Sequence, residues 1–275
     1  MKRNRMKTNP GVLVAGMLAV FCWSIGHADV IYSNSFSGGA VDINGTAPTY
    51  INPNASLFGG SGIAAWDVVR DQPPPGENYY AYQNGTLGSR QETVLLPFTP
   101  VSGYVYNLEA SLTFTVVPPG GGWGALGFAG NFPASSSSSG DPRFNQTILN
   151  GQPWALLNYQ AQGGGAVLYY SRTGFLPNVP NLMTALNTPY TINLVLDTTG
   201  SQWSTALYID GTLVRNYTYT AGNPSISSFG YGQTATTAGA YQWNSLTLIT
   251  EVPEPSALAL AGLGLAGLFA LRRRN

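Results

Sequence analysis

A stretch of strict alternation, "YVYNLEASLTFTV" at residues 104–116, limits the folds open to this chain more than any other feature. One set of alternate positions is apolar or aromatic: Tyr104, Tyr106, Leu108, Ala110, Leu112, Phe114 and Val116. The positions between them from residue 107 onward are polar: Asn107, Glu109, Ser111, Thr113 and Thr115. Because successive side chains of a strand point to opposite faces of a sheet, this pattern predicts a long strand with one buried face.

Residues 29–250 contain further strand patterns and no long stretch of helical periodicity. "YTINLVLD" at 190–197 alternates in the same way, and "WSTALYIDGTLVRNYTY" at 203–219 predicts a hairpin that turns at Asp210-Gly211. Other strands are predicted at 30–36, 63–69, 78–82, 92–98, 123–130, 153–160, 165–171, 225–231 and 240–249. Many short strands separated by turn residues predict an all-β sandwich or barrel.

The first 28 residues have the layout of a secretory signal peptide. A basic start is followed by an apolar run at 12–25, and Gly26-His27-Ala28 supplies small residues at the positions expected before a cut after Ala28. Cys22 raises the alternative of lipid attachment, but the residues before it match such a signal poorly. We therefore expect a signal helix at 1–28, a sandwich domain at 29–250 and a separate C-terminal segment at 251–275.

That C-terminal segment has three parts in a fixed order: Pro253-Glu254-Pro255, an apolar run at 256–271, and an arginine cluster. As a helix, the apolar run would span about 24 Å, somewhat less than the roughly 30 Å hydrocarbon core of a bilayer. Local thinning of the bilayer would let it cross, with the arginines left on the cytoplasmic side. The cluster that would act as the membrane stop consists of Arg272, Arg273 and Arg274.

The same three parts resemble the PEP-CTERM sorting signal. The resemblance implies that exosortase, a membrane protease, recognises the segment at the inner membrane and removes it near the motif Pro253, Glu254 and Pro255. It also implies a Gram-negative bacterium that makes extracellular polysaccharide, and a mature protein at the cell surface or in that matrix. The alternative reading is a simple C-terminal transmembrane anchor.

The composition of the mature domain excludes several kinds of chemistry. Removal of the signal takes away the only cysteine, the only histidine and both lysines. A Ser-His-Asp triad, a cysteine nucleophile, a lysine Schiff base and a histidine-ligated zinc are therefore excluded. Between residues 29 and 250, ten carboxylates oppose five arginines, for a net charge of −5. Such a domain is not expected to bind nucleic acid, since that affinity comes mostly from basic side chains.

The order of elements resembles the concanavalin A-like jelly roll of laminin-G-like and legume-lectin-like domains. The resemblance is carried by "GGGWGALGFAGN" at 120–131, by "YTINLVLD" before "WSTALYIDGTLV", and by the closing strand "YQWNSLTLI" at 241–249. Jelly-roll glucanases carry Glu-x-Asp-x-x-Glu on one strand, because glycoside hydrolysis needs paired carboxylates. That spacing is absent, and Glu77, Glu92 and Glu109 stand far apart, so we expect no enzyme activity.

Aromatic and oxygen-bearing side chains suggest where a ligand would bind. Sugars stack on exposed rings, and Trp154 follows "NGQP" in an expected loop, which makes it the candidate glycan contact. Calcium prefers oxygen ligands, and the loop "GDPRFNQT" offers Asp141 and Asn145 as its candidate ligands. No other cofactor is expected.

The sequence therefore predicts an exported, non-enzymatic protein that binds glycan or serves as matrix structure. A carbohydrate-active enzyme with an unfamiliar site, such as a hydrolase or a lyase using tyrosine and arginine, is the alternative.

Overall fold

The computed structural model describes residues 28–70, 81–87, 92–117, 123–130, 152–159, 165–170, 176–234 and 239–251. These residues form fourteen β-strands and a short 3-10 helix at Ala55–Phe58. The strands are β1 (Ala28–Asn34), β2 (Tyr50–Ile51), β3 (Asp67–Arg70), β4 (Glu92–Pro97), β5 (Val105–Phe114), β6 (Trp123–Ala129), β7 (Trp154–Asn158), β8 (Gly165–Tyr169), β9 (Val179–Pro180), β10 (Pro189–Asp197), β11 (Ser204–Ile209), β12 (Thr212–Thr218), β13 (Ser228–Thr234) and β14 (Tyr241–Glu251).

The strands build an all-β sandwich of two antiparallel sheets, as the alternation predicts. The first sheet has the order β12-β11-β10-β5-β14-β1-β2, and the second has the order β3-β4-β13-β6-β7-β8-β9. Residues Asp29–Glu251 form one compact unit. Among the described strands, seven neighbouring pairs are consecutive along the chain and five are distant, with β5, β13 and β14 making the distant pairings at the middle of each sheet. The sandwich therefore combines local hairpins with long-range pairing.

Strand β5 lies at the middle of the first sheet, between β10 and β14. Its inward positions, from Tyr106 to Phe114, are fully buried, while Glu109 on the other face is exposed. The predicted face is thus confirmed over β5. Val116 lies beyond the end of the strand and is exposed, because pairing with β10 and β14 has ended before it.

The predicted hairpin at 203–219 is confirmed as β11 and β12. Asp210 and Gly211 both have positive φ, at 48° and 75°, which suits the twist of a two-residue hairpin turn. The carboxylate of Asp210 also accepts a hydrogen bond from the backbone N–H of Thr191 on β10, at 2.8 Å. The turn residue therefore joins the hairpin to the neighbouring strand.

Two strand predictions need correction among the described residues. Residues 63–66 are not a strand, and the chain enters β3 only at Asp67. Of the stretch 78–82, Tyr82 makes only an isolated bridge to Asp42. The backbone of Trp66 and of Ala81 instead makes hydrogen bonds with the loop at 35–49. Alternation of residue types alone therefore predicted strands where the chain pairs only with a loop.

The core lies between the sheets and is rich in aromatic rings. Phe36, Trp66, Tyr231 and Trp243 form one connected group, with neighbouring ring centroids between 5.2 and 6.2 Å apart. A smaller cluster of Leu95, Ala125, Ala129 and Trp154 lies apart from the main core. Since residues 125 and 126 must point to opposite faces of β6 and Leu126 is in the main core, this cluster lies on the other face of the second sheet.

The predicted signal and transmembrane helices fall outside the described residues. Within those residues, no helix has the length and apolar character needed to cross a membrane.

Candidate functional site

Several residues that the sequence singles out lie outside the described part of the chain. They are Asp141, Asn145, Pro253, Glu254, Pro255, Arg272, Arg273 and Arg274. Among the residues that are described, no group of three or more His, Cys, Asp or Glu side chains is placed to hold a metal ion. Calcium binding at Asp141 and Asn145 thus stays a prediction.

The expected exposure of Trp154 is wrong. Trp154 begins β7 and is 0% exposed. Its partner across the strands is Gly127 on β6, where an added Cβ would lie 2.3 Å from the Cβ of Trp154. The missing side chain at Gly127 therefore makes room for the indole, and the buried ring offers no face for a sugar.

The other tryptophans also give little exposed ring surface. Trp66 and Trp243 are fully buried in the core, and Trp123 and Trp203 are half-buried against it or against the smaller cluster. Among the described residues, no tryptophan therefore presents a fully exposed ring on which a sugar could stack.

A polar cavity of about 240 Å³ lies among the described residues, and we call it the loop cavity. It lies between the end of β1, the loop at 35–49 and the turn that contains Gln83. Its lining consists of Asn34, Phe36, Ser37, Gly38, Ile43, Thr46, Ala47, Thr49 and Gln83. No single sequence motif contains these residues, so local patterns do not reveal the cavity.

Backbone hydrogen bonds hold the loop cavity in shape. The N–H of Ile43 donates to the carbonyl of Ala81, and the N–H of Gln83 donates to the carbonyl of Val41, both at 2.9 Å. The N–H of Gly45 donates to the carbonyl of Trp66 at 2.8 Å. These bonds fasten the loop to two other segments, so the lining is positioned before any ligand arrives.

Asn34 and Thr49 form a fixed polar pair at the rim. The side-chain oxygen of Asn34 accepts the Thr49 hydroxyl at 2.7 Å and the Thr49 backbone N–H at 3.2 Å. Asn34 is only 7% exposed, so its amide is held in one orientation. With the oxygen engaged twice, the Nδ2 group is the part of this amide that remains to donate.

Phe36 and Ile43 provide the apolar part of the lining. Both are buried, and the ring of Phe36 packs edge-on against Tyr231 at 5.3 Å. Phe36 has a φ of 46°, an uncommon value for a residue with a large side chain. This backbone conformation is retained because the ring is fixed in the aromatic core.

No lining side chain of the loop cavity ionises near neutral pH. The tyrosines whose pKa is raised by burial, Tyr32, Tyr106, Tyr219 and Tyr241, all lie elsewhere. With amides and hydroxyls but no acid or base, the cavity can bind a neutral polar ligand and has no group for proton transfer.

Comparison with protein families gives one match, at residues 251–274, to the PEP-CTERM protein-sorting motif. The chain carries a PEP-CTERM sorting motif. The match confirms the resemblance noted for Pro253-Glu254-Pro255, the apolar run and the arginine cluster. It indicates export and exosortase-mediated sorting to the cell surface.

No curated protein matches the chain. Among solved structures, endo-1,3-β-glucanase from Streptomyces sioyaensis is 12% identical, with 82% of this chain and 97% of that chain covered and a TM-score of 0.49. A protein of unknown function with a galectin-like fold from Bacillus subtilis is 10% identical, with 83% and 99% covered and a TM-score of 0.44. Peanut lectin is 8% identical, with 68% and 97% covered and a TM-score of 0.41.

Proposed function

We propose that this protein is exported by a Gram-negative bacterium, sorted by exosortase, and placed at the cell surface or in the extracellular polysaccharide matrix. There its sandwich, of the concanavalin A-like jelly-roll class, binds glycan without turning it over. The observation that carries the proposal is the PEP-CTERM motif at 251–274, directly after a compact sandwich that ends at Glu251.

Glycan binding is supported by the chemistry of the loop cavity. Its amides and hydroxyls, among them those of Asn34, Thr49 and Gln83, suit the hydroxyl groups of sugars. Binding without turnover is supported by the surroundings of Glu109, since glycoside hydrolysis needs two carboxylates about 5 to 10 Å apart. Glu109 is flanked across the sheet by Asn193 and Thr247 rather than by another acid.

The binding half of the proposal is tested with the full chain in a detergent that has no sugar head group. We expect saturable binding to at least one polysaccharide of a panel that includes matrix from a producing strain, and no release of fragments. Parallel titrations with calcium and with chelator show whether a metal takes part. Fragment release would instead identify an enzyme, and an absence of binding to every glycan would leave only a structural role.

The sorting half is tested in a host that has exosortase. Replacing Pro253, Glu254 and Pro255 with alanine should leave the chain unprocessed and membrane-bound, because the extended segment that a protease needs is lost. A matched control replaces the nearby Ser256 and Leu258 with alanine and keeps the Pro-Glu-Pro motif. Equal processing of both variants, read by mass on a gel, would contradict the assignment.

A further inference from the structure

We propose that the loop cavity is the binding subsite and that it holds one neutral sugar unit of a glycan. This inference rests on the glycan binding proposed above and assigns it to named residues. The volume of the loop cavity, about 240 Å³, falls just below the range of roughly 300 to 1,000 Å³ that is usual for pockets that bind drug-sized ligands. A single unit or the end of a chain fits that size better than a longer segment.

The free hydrogen-bonding groups of the cavity match a sugar. Within the described residues, no hydrogen bond uses the Nδ2 of Asn34 or the side-chain amide of Gln83. Thr46 donates its hydroxyl to the carbonyl of Ile43 at 2.6 Å, which leaves lone pairs to accept. Donors and acceptors are therefore both present, as vicinal hydroxyl groups require.

Gly38 positions the Gln83 side chain. A Cβ added at Gly38 would lie 2.5 Å from the Cβ of Gln83 and 2.7 Å from its Oε1, so the amide lies directly against the glycine backbone. The next residue, Gly39, has open space at the same position, with no atom within 4 Å. The two adjacent glycines thus differ in one respect that matters here, which is contact with Gln83.

Electrostatics favour a neutral sugar over an acidic one. The lining has no cation to pair with a uronate or a sulfate. An anionic unit would therefore gain no salt bridge from the lining, whereas a neutral unit needs none.

The loop cavity lies far from the C-terminal end of the sandwich. The carbonyl oxygen of Gly85, two residues after Gln83, accepts a hydrogen bond from the backbone N–H of Trp243 at 3.0 Å. Trp243 is eight residues before Glu251 on β14, a path of roughly 27 Å along the strand. The turn bearing Gln83 is therefore far from the point where the sorting segment begins.

The test measures binding of methyl glycosides of glucose, galactose, mannose and N-acetylglucosamine, and of one neutral and one uronate polysaccharide, by calorimetry on the full chain. We expect Gln83→Ala to weaken binding of the neutral ligand about tenfold, as loss of one or two hydrogen bonds predicts. Gly38→Ala should weaken it at least as much, since its Cβ displaces Gln83. Gly39→Ala should change it less than twofold.

The outcomes separate this inference from the proposed function. Neutral glycan binding that survives both Gln83→Ala and Gly38→Ala would place the site elsewhere and leave the proposed function intact. Binding of the uronate polysaccharide alone would likewise overturn the neutral-sugar subsite. Binding of nothing by the native chain would overturn both. Near-UV circular dichroism of each variant checks its fold, and Gln83→Ala carries the test if Gly38→Ala does not fold.

Discussion

Gly230 lies inside β13 where the backbone of β4 passes too close for any side chain. A Cβ at this position would be 1.9 Å from the carbonyl oxygen of Val94. Gly211, in the hairpin turn, has no atom within 4 Å of its added Cβ and needs only its positive φ of 75°. The two glycines are therefore required for different reasons, close approach in one case and backbone conformation in the other.

We expect Gly230→Ala to destabilise the protein by about 3 kcal/mol or more, because strands β4 and β13 must move apart. Gly211→Ala should cost only about 1 to 2 kcal/mol, the strain of a left-handed residue. Denaturant unfolding of both variants measures the difference. Similar losses for the two would mean that β4 relaxes easily around a new side chain.

Strands β5 and β10 are each fastened to the loop before them by a tyrosine. The hydroxyl of Tyr106 donates to the carbonyl of Val101 at 3.1 Å and accepts the N–H of the same residue at 2.8 Å. Tyr190 makes the same two bonds with Ala185, at 3.2 and 2.8 Å. Each tyrosine lies five residues after its partner, so both strands begin with the same device.

Burial raises the pKa of Tyr106 to about 12, although its bond with Val101 opposes the shift. Between pH 10 and 12 the unfolded chain therefore loses this proton while the native chain keeps it, so stability should fall as pH rises through that window. Tyr106→Phe should remove part of the fall. At neutral pH it should cost about 1 to 3 kcal/mol, because the polar groups of Val101 lose their partner.

Thermal unfolding from pH 8 to 12 tests this prediction. Tyr50→Phe is the control, since the side chain of Tyr50 is exposed and its hydroxyl makes no hydrogen bond within the described residues. An unchanged alkaline slope in Tyr106→Phe would show that the other buried tyrosines account for the loss.

One core joins all the longer strands of both sheets. It extends from Ile31 on β1 to Leu248 on β14, so its members come from almost the full length of the compact unit. Strand β14 lies between β5 and β1 and supplies Tyr241, Trp243, Leu246 and Leu248 to that core.

A fragment of residues 29–251 should therefore fold, with a cooperative thermal transition like that of the processed protein. A fragment of 29–240 should not, because without β14 the first sheet is divided at its middle. Calorimetry of the two fragments gives the comparison. Cooperative unfolding of the shorter one would show that β5 and β1 can pair without the strand between them.

Local patterns predicted most of the strands and the sorting motif. The face of β5, the turn at Asp210-Gly211 and the apolar run after Pro255 all depend on spacing within a few residues, where side-chain period and backbone preference act directly. The exclusion of cysteine and histidine chemistry from the mature domain also follows from composition alone, given removal of the signal.

Tertiary structure decided the burial of Trp154 and the location of the loop cavity. Trp154 is buried because Gly127 stands opposite it on a neighbouring strand, and strand pairing of this kind is not visible in either segment alone. The cavity brings together Asn34, Thr49 and Gln83 from three separate segments. Local sequence determines which residues alternate and where the chain turns, whereas the packing of distant strands determines which polar groups meet around a recess.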